Sequence, residues 1–276
     1  MHRNLDIIGD VHGRADALRQ LLETLGYRLI NGVYIHPDGR IAVFTGDFVD
    51  GGSQNLEVIE IVMAMVAHGS ALAVMGNHDF NIVAFNRADP ERSGEFLRSH
   101  SERHRHQCEA TQREIEADPE RAAILLDFLG SLPLWLDLPE ARIVHACWDR
   151  AAMAELLPLT SRNSLNHRTF AEAAQLSGSF GDARSMLLSG PEIETEPYRD
   201  RSGHTRTMDR VSWWIDHADE DPRPIFFGHY ALKAPLSTFG HAVCVDAGVA
   251  KGGPIAAYRH DPNAPLSPMN FVYANT

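Results

Sequence analysis

Five short stretches of this 276-residue sequence carry side chains able to bind a metal ion or move a proton. "GDVHG" holds Asp10 and His12, "GDFVDGG" holds Asp47 and Asp50, "GNHD" holds Asn77 and His78, "VHAC" holds His145 and "GHY" holds His229. Asp, His and Asn supply the oxygen and nitrogen donors that suit Mn, Fe or Zn, and neighbouring glycines let the backbone turn sharply beside an ion. Taken singly, each stretch has a plainer reading: polar residues beside glycine form turns and caps, and an isolated histidine is more often a hydrogen-bonded core residue. Turns and caps do not explain an ordered set in which each member follows an apolar run.

Those apolar runs are the elements that must position the set. Residues 5–9 read as a strand, followed by a helix with Leu18, Leu21, Leu22 and Leu25 at helical spacing. Residues 27–35 alternate, and Pro37-Asp38-Gly39 leads into residues 41–45, which predicts a hairpin between the two. A second helix carries Leu56, Ile59, Met63 and Val66, and a strand over 71–75 ends at Gly76. Residues 86–130 are charged and helical in pattern and form a helical insertion; strands resume at 142–146, a polar helix-and-loop region covers about 149–218, and strand-like runs return at 225–227, 242–245 and 255–258. Strands on both sides of the insertion must share one core, so residues 1–276 are expected to form a single α/β domain. In such a sheet the loops at the carboxyl ends of the strands converge on one edge, where residues far apart in sequence meet.

On these motifs the chain resembles the calcineurin-like metallophosphoesterases, in the branch of serine/threonine protein phosphatases and their bacterial relatives. The family signature GDxHG, GDxVDRG and GNHD or GNHE, followed by two later histidines, is present in order, and "VCVDAGVAKGGPIAAYRH" resembles the family's closing strand pair. The resemblance implies a two-sheet sandwich flanked by helices. It also implies that Asp10 and His12 hold a first ion, that Asp47 bridges to a second, and that Asn77, His145 and His229 complete the second site. Two divalent ions, most plausibly Mn, with Fe or Zn as alternatives, would supply a metal-bound hydroxide as nucleophile. His78 would then protonate the departing oxygen, oriented by Asp50.

One position departs from the pattern. Where the family places a phosphate-clamping arginine after the second aspartate, this chain has Gly51, which cannot offer the bidentate hydrogen bonds of a guanidinium. Arg206 and Arg210 in "TRTMDR" are the candidate replacements, ahead of Lys233 and Arg150, with a solvated helix face as the plainer reading of that segment. Trp213 and Trp214 are expected to pack against the sheet and Cys147 to be a small buried side chain. His100, His104 and Cys108 share helical spacing, but a polar outer face accounts for them better than a further metal site.

Composition bounds the rest. A hydrophobic content of 44% can fill a sizeable core, and a net charge of −12 argues against a polyanion such as duplex DNA as the main partner. No apolar run is long enough to span a bilayer, and three widely spaced cysteines make no disulfide framework, so a cytoplasmic protein with reduced thiols is expected. The sequence reading favours a protein-phosphatase-like phosphomonoesterase acting on a phosphoprotein, nucleotide or small phosphate ester. The rival readings are a dinucleoside polyphosphate hydrolase, a nucleic-acid-end phosphatase, and a metal-binding scaffold whose substrate site has decayed at Gly51.

Overall fold

The computed structural model describes residues 3–175, 178–199, 205–215, 217 and 220–276, without the side chains of Tyr198, Thr205 and Arg206. Two sheets face one another. The first runs in the order Phe271–Ala274, Ile255–His260, Leu5–Ile8, Ile41–Phe44, Ala71–Ala73, and the second in the order Ala242–Cys244, Ile225–Phe227, Arg142–Val144, Trp135–Asp137. The central strands of each sheet are parallel: Leu5–Ile8 pairs with Ile41–Phe44 and that strand with Ala71–Ala73, while Ile225–Phe227 pairs with both neighbours in the second sheet.

Alternation along each strand sorts side chains between the two faces. Leu5, Ile7 and Val43 point inward and share one buried cluster with Ile143, Phe226 and Val243 from the opposing sheet. Ile8, Ala42 and Phe44 point the other way, into a larger cluster with Leu18, Leu21, Leu22 and Leu25 of the helix Ala15–Leu25 and Ile59 and Val62 of the helix Asn55–His68. Asp6 also points outward and is fully buried, which a carboxylate tolerates only when paired. Arg40 supplies a two-point clamp on it at 2.7 and 2.8 Å, and Arg259 approaches to 3.3 Å.

Within the expected insertion, Glu102–Ala117 and Pro119–Ser131 are helices packed on Asn55–His68, whereas residues 87–101 are not helical. Three details differ from the sequence reading. The hairpin forms between Arg28–Ile30 and Val33–Ile35 around Asn31-Gly32, while Ile41–Phe44 joins the main sheet, because its continuous apolar run is buried there. The region 149–218 contains, besides helices, a long hairpin of Glu192–Arg199 with Thr205–Arg210. Arg206 and Arg210 therefore sit on a strand rather than a helix face, paired with Tyr198 and Glu192 of the facing strand. Finally, the strand expected over 71–75 spans Ala71–Ala73, and residues Asn77–Asn86 form a helix that the sequence reading did not assign.

Candidate active site

Parallel strands bring their carboxyl ends to one edge, and all five sequence stretches lie there. Asp10 and His12 follow Leu5–Ile8, Asp47 and Asp50 follow Ile41–Phe44, and Asn77 and His78 follow Ala71–Ala73. His145 and His229 follow Arg142–Val144 and Ile225–Phe227 of the second sheet, so the site straddles the seam between sheets. His12, Asp47, Asp50 and His229 all adopt left-handed backbone, with φ between 48° and 70°. Such conformations cost roughly 1–3 kcal/mol each for residues with a side chain, and they gather where surrounding bonds enforce them.

The donor atoms converge in two groups that share Asp47. His145 Nε2 lies 3.0 Å from Asn77 Oδ1 and 3.4 Å from Asp47 Oδ2, and His229 Nδ1 lies 2.8 Å from Asn77 Oδ1. His12 Nε2 lies 3.7 Å from Asp47 Oδ2 and 3.8 Å from Asp10 Oδ2. The other ring nitrogens are already committed: His12 Nδ1 donates to the carbonyls of Val49 and Asp50, and His145 Nδ1 donates to that of Thr45. In the neutral form that ligates a metal, each turns a lone pair toward the carboxylates; with no cation there, burial disfavours a proton on His145 but the charge of Asp47 overcomes it and raises that ring's pKa. Lone pairs facing anionic oxygens repel unless a cation lies between them. Ligands bonded to one ion at about 2.0–2.2 Å stand roughly 3–3.5 Å apart; His145 meets that spacing with Asp47 and Asn77, at 3.4 and 3.0 Å, while the His12 contacts are wider, at 3.7 and 3.8 Å.

Charge leads to the same fit. Burial, then the charges of Asp246 and Asp47, push the Asp10 carboxyl well above the usual range. At Asp47 burial acts in the same direction, but His145, His78 and His12 outweigh it and hold the carboxyl well below that range. A buried pocket with this many carboxylates is balanced by divalent ions. These residues fit a pair of such ions: Asp10, His12 and Asp47 about one, and Asp47, Asn77, His145 and His229 about the other.

His78 differs from the candidate ligands. Its Nδ1 is 2.8 Å from Asp50 Oδ2, and at 22% exposure its side chain is the most open of the set's histidines. Burial lowers its pKa, but Asp47 and Asp50 overcome that and raise it to about 9, so the ring is protonated at neutral pH. Asp50 is itself fixed, accepting a hydrogen bond from Thr111 Oγ1 at 2.5 Å while its backbone N–H donates to Asn55 Oδ1 at 2.9 Å.

Gly9 and Gly13, which flank Asp10 and His12, admit close approach of other chain segments: a Cβ on Gly9 would stand 2.0 Å from the Val245 carbonyl oxygen, and one on Gly13 2.4 Å from Asn55 Oδ1. Gly51 has φ 109°, a conformation nearly closed to arginine. Arg210 reaches the site from the hairpin, its Nη1 donating to the His229 carbonyl at 3.0 Å, whereas the Arg206 side chain lies outside the described residues. Arg150 and Lys233 are exposed. His100 stacks between Phe85 and Phe96, and His104 and Cys108 bond to nearby backbone. Among the described residues the clustered metal-competent groups are the two around Asp47 alone. Trp213 and Trp214 pack on Phe227 as expected, and Cys147 is buried.

Four supporting residues escaped the sequence reading. Asp79 accepts from the backbone N–H groups of Asp47, Phe48 and Gly76 at 2.8–2.9 Å, tying two site loops together. Asp246 accepts from Ala231 and Gly248 and so fixes the turn after His229. Both stand inside quoted motifs, "GNHD" and "VCVDAG", where their position was the available signal. Thr111 and Glu114 come from the insertion, where nothing in a polar helix marks them.

Comparison with known proteins places these features in context. The model of the family described as "Calcineurin-like phosphoesterase" matches residues 4–261. The chain is 35% identical over 262 residues to bis(5'-nucleosyl)-tetraphosphatase PrpE [asymmetrical] of Halalkalibacterium halodurans, covering 92% of this chain and 89% of that protein. It is 28% identical over 263 residues to the protein of the same name from Geobacillus sp., covering 93% and 90%. Its fold is similar to a protein serine/threonine phosphatase from Saccharomyces cerevisiae (TM-score 0.52, 15% identity, 98% of this chain and 78% of that one). It is also similar to a cold-active protein tyrosine phosphatase (TM-score 0.54, 18% identity, 94% and 74%).

Proposed function

The chain belongs to the calcineurin-like phosphoesterases, and on that premise we propose that it hydrolyses dinucleoside tetraphosphates asymmetrically, releasing a nucleoside triphosphate and a nucleoside monophosphate. The observation that carries this reading is the 35% identity, over nine-tenths of both chains, to a relative named for that activity. It reverses the order of preference drawn from the motifs alone, which are shared by phosphatases acting on many esters. A cavity of about 1180 Å³ with Asn77 among its lining residues supports it, since it offers room for more than a single phosphate group.

In this reading Asp10, His12, Asp47, Asn77, His145 and His229 hold two divalent cations, Mn first among the candidates. Those ions would supply Lewis acidity toward the phosphoryl oxygens and a water acidic enough to attack near neutral pH. The chain's own residues do the rest. Asp47 bonds the backbone of His78 through Oδ1 at 2.8 Å and thereby fixes the ring beside the ligand set. Asp50 binds Nδ1 of His78, which leaves Nε2 as the nitrogen that gives a proton to the departing phosphate oxygen. Water's hydroxyl thus ends on one phosphorus, one P–O–P bond breaks, and the leaving oxygen takes the proton. Arg210, anchored on the His229 carbonyl, is placed to bond a phosphoryl oxygen in the region that Gly51 leaves without a cation.

Steady-state rates of the Mn-loaded protein on a dinucleoside tetraphosphate, a phosphopeptide and an oligonucleotide 3′-phosphate separate the readings. The tetraphosphate is expected to give the highest kcat/KM by at least about tenfold. A phosphopeptide turned over faster would return the site to the protein-phosphatase reading.

A further inference from the structure

We propose that Arg98 and Arg184 form an anion subsite, apart from the candidate metal ligands, that holds the phosphate chain of a polyphosphate substrate as it leaves the reacting phosphorus. The inference rests on the tetraphosphatase reading for its substrate, and on the cavity for its position.

The cavity is organised along the helix Asn77–Asn86. Asn77, Phe80, Asn81 and Ala84 line it, and at spacings of three and four residues they make one continuous helical face. The face starts at a candidate metal ligand and, at about 1.5 Å per residue, extends roughly 10 Å from it. Arg98 and Arg184 line the same cavity. Arg98 is brought there by its backbone N–H, which donates to the Ala84 carbonyl at 3.0 Å. Arg184, on the helix Ser179–Ser189, lies over the Phe80 ring with its guanidinium carbon 4.8 Å from the centroid. The two cations thus flank a helix whose first residue belongs to the metal-competent cluster.

Neither guanidinium is in an ion pair among the described residues; the charge of Asp182 acts on Arg184 and that of Asp50 on Arg98 only partly against the cost of burial. Both side chains are half-buried, and among the described residues no carboxylate lies within 4.0 Å of either guanidinium. Arg98 Nη2 donates to Gln107 Oε1 at 2.8 Å, but its Nη1 is buried with no partner. Burial lowers the pKa of both groups, and the charge of Arg98 lowers that of Arg184 further. The acids that also line the cavity are mostly spoken for: Asp89 and Glu95 bind Arg92 at 2.8 and 3.0 Å, and Glu172 lies 3.7 Å from Arg168. Glu91 is the remaining acid and sits exposed at the rim. Two like charges held close and partly dry, one with an unmet donor, are stabilised by an anion between them. The guanidinium fork matches phosphate oxygens.

The test uses Arg98→Gln and Arg184→Gln, singly and together, in the full-length protein with inorganic tripolyphosphate as the probe. Calorimetric binding of tripolyphosphate to metal-free protein is expected to weaken by about tenfold for each guanidinium removed. Hydrolysis of a small aryl phosphate, which does not reach the subsite, should stay within about threefold of wild type, with metal content unchanged. KM for the tetraphosphate should rise about tenfold or more in the double variant. The pair Arg98→Lys and Arg184→Lys keeps the charge and is expected to recover part of the tripolyphosphate affinity, which a purely structural role would not predict; it also serves if the Gln pair folds poorly. Tripolyphosphate affinity unchanged in the Gln pair, or in both single Gln variants where the pair does not fold, overturns the subsite. Weakened tripolyphosphate binding supports the subsite even if the wild type turns out not to cleave tetraphosphates, an outcome that counts against the substrate reading alone.

Discussion

Asp79 shows how the site is held at the scale of single residues. Its carboxylate takes three backbone N–H groups from two loops in a fully buried position, so Asp79→Ala strands three donors at once. With about 1–3 kcal/mol for each unmet buried donor, partly relieved by relaxation, a loss of about 3–5 kcal/mol in denaturant unfolding is expected; a loss under about 1 kcal/mol would contradict the role. His78→Asn separates chemistry from binding: kcat should fall by about 10²–10⁴ while metal content, measured by elemental analysis, stays at the wild-type level. Equal turnover in that variant removes His78 from proton transfer. The candidate ligands were legible because each stands in a short motif after an apolar run. Asp79 was visible in "GNHD" yet unassigned, since nothing in a sequence distinguishes a side chain that binds backbone from one that binds an ion.

At the scale of elements, the helix Glu102–Ala117 turns out to brace the site rather than decorate the surface. Thr111 donates to the carboxylate that orients His78, and three residues on, on the same helix face, Glu114 accepts from the backbone N–H groups of Asn55 and Leu56 at 2.9 Å. It thereby satisfies donors at the start of the helix Asn55–His68 that no residue of that helix's own N-terminus caps, and its charge suits the helix dipole. Glu114→Ala is expected to cost about 1–2 kcal/mol, read by thermal or urea unfolding. Thr111→Val should leave stability within about 1 kcal/mol of wild type and lower kcat with little change in KM; an unchanged kcat would show that Asp50 needs no such anchor. The helical insertion itself was legible from its pattern, and its contacts were not, because long-range pairing leaves no local periodicity. The same reason lies behind Ile41–Phe44: a turn signal placed it in a hairpin, but burial on both faces drew it into the main sheet.

The whole molecule gathers Asp10, Asp47, Asp79 and Asp246 at one end of a protein whose net charge is already −12. Divalent ions that bind this cluster only in the folded state stabilise it by mass action, about 2.7 kcal/mol at a hundredfold excess over Kd. Chelation should therefore abolish activity and lower Tm by about 5–10 °C, with both restored by Mn. A Tm indifferent to chelation in metal-loaded protein would count against the pair of ions. Cys108, Cys147 and Cys244 are all buried, and burial pushes the thiols of Cys108 and Cys147 up to about 11 and about 12 and that of Cys244 well above the ordinary value. Since the thiolate is the reactive form, the native protein should consume an aromatic disulfide reagent slowly at pH 8 and release three equivalents only once unfolded. Fold class was legible at this scale because the ordered motifs carry the family resemblance. The proposed substrate was not, because the cavity offered in its support is built from the insertion and a distant helix. Anion-exchange separation of the products formed from a dinucleoside tetraphosphate by the Mn-loaded protein tests the central claim most directly. Equimolar nucleoside triphosphate and monophosphate, lost in His78→Asn, are predicted; two nucleoside diphosphates, or no turnover by fully metallated protein, would contradict it.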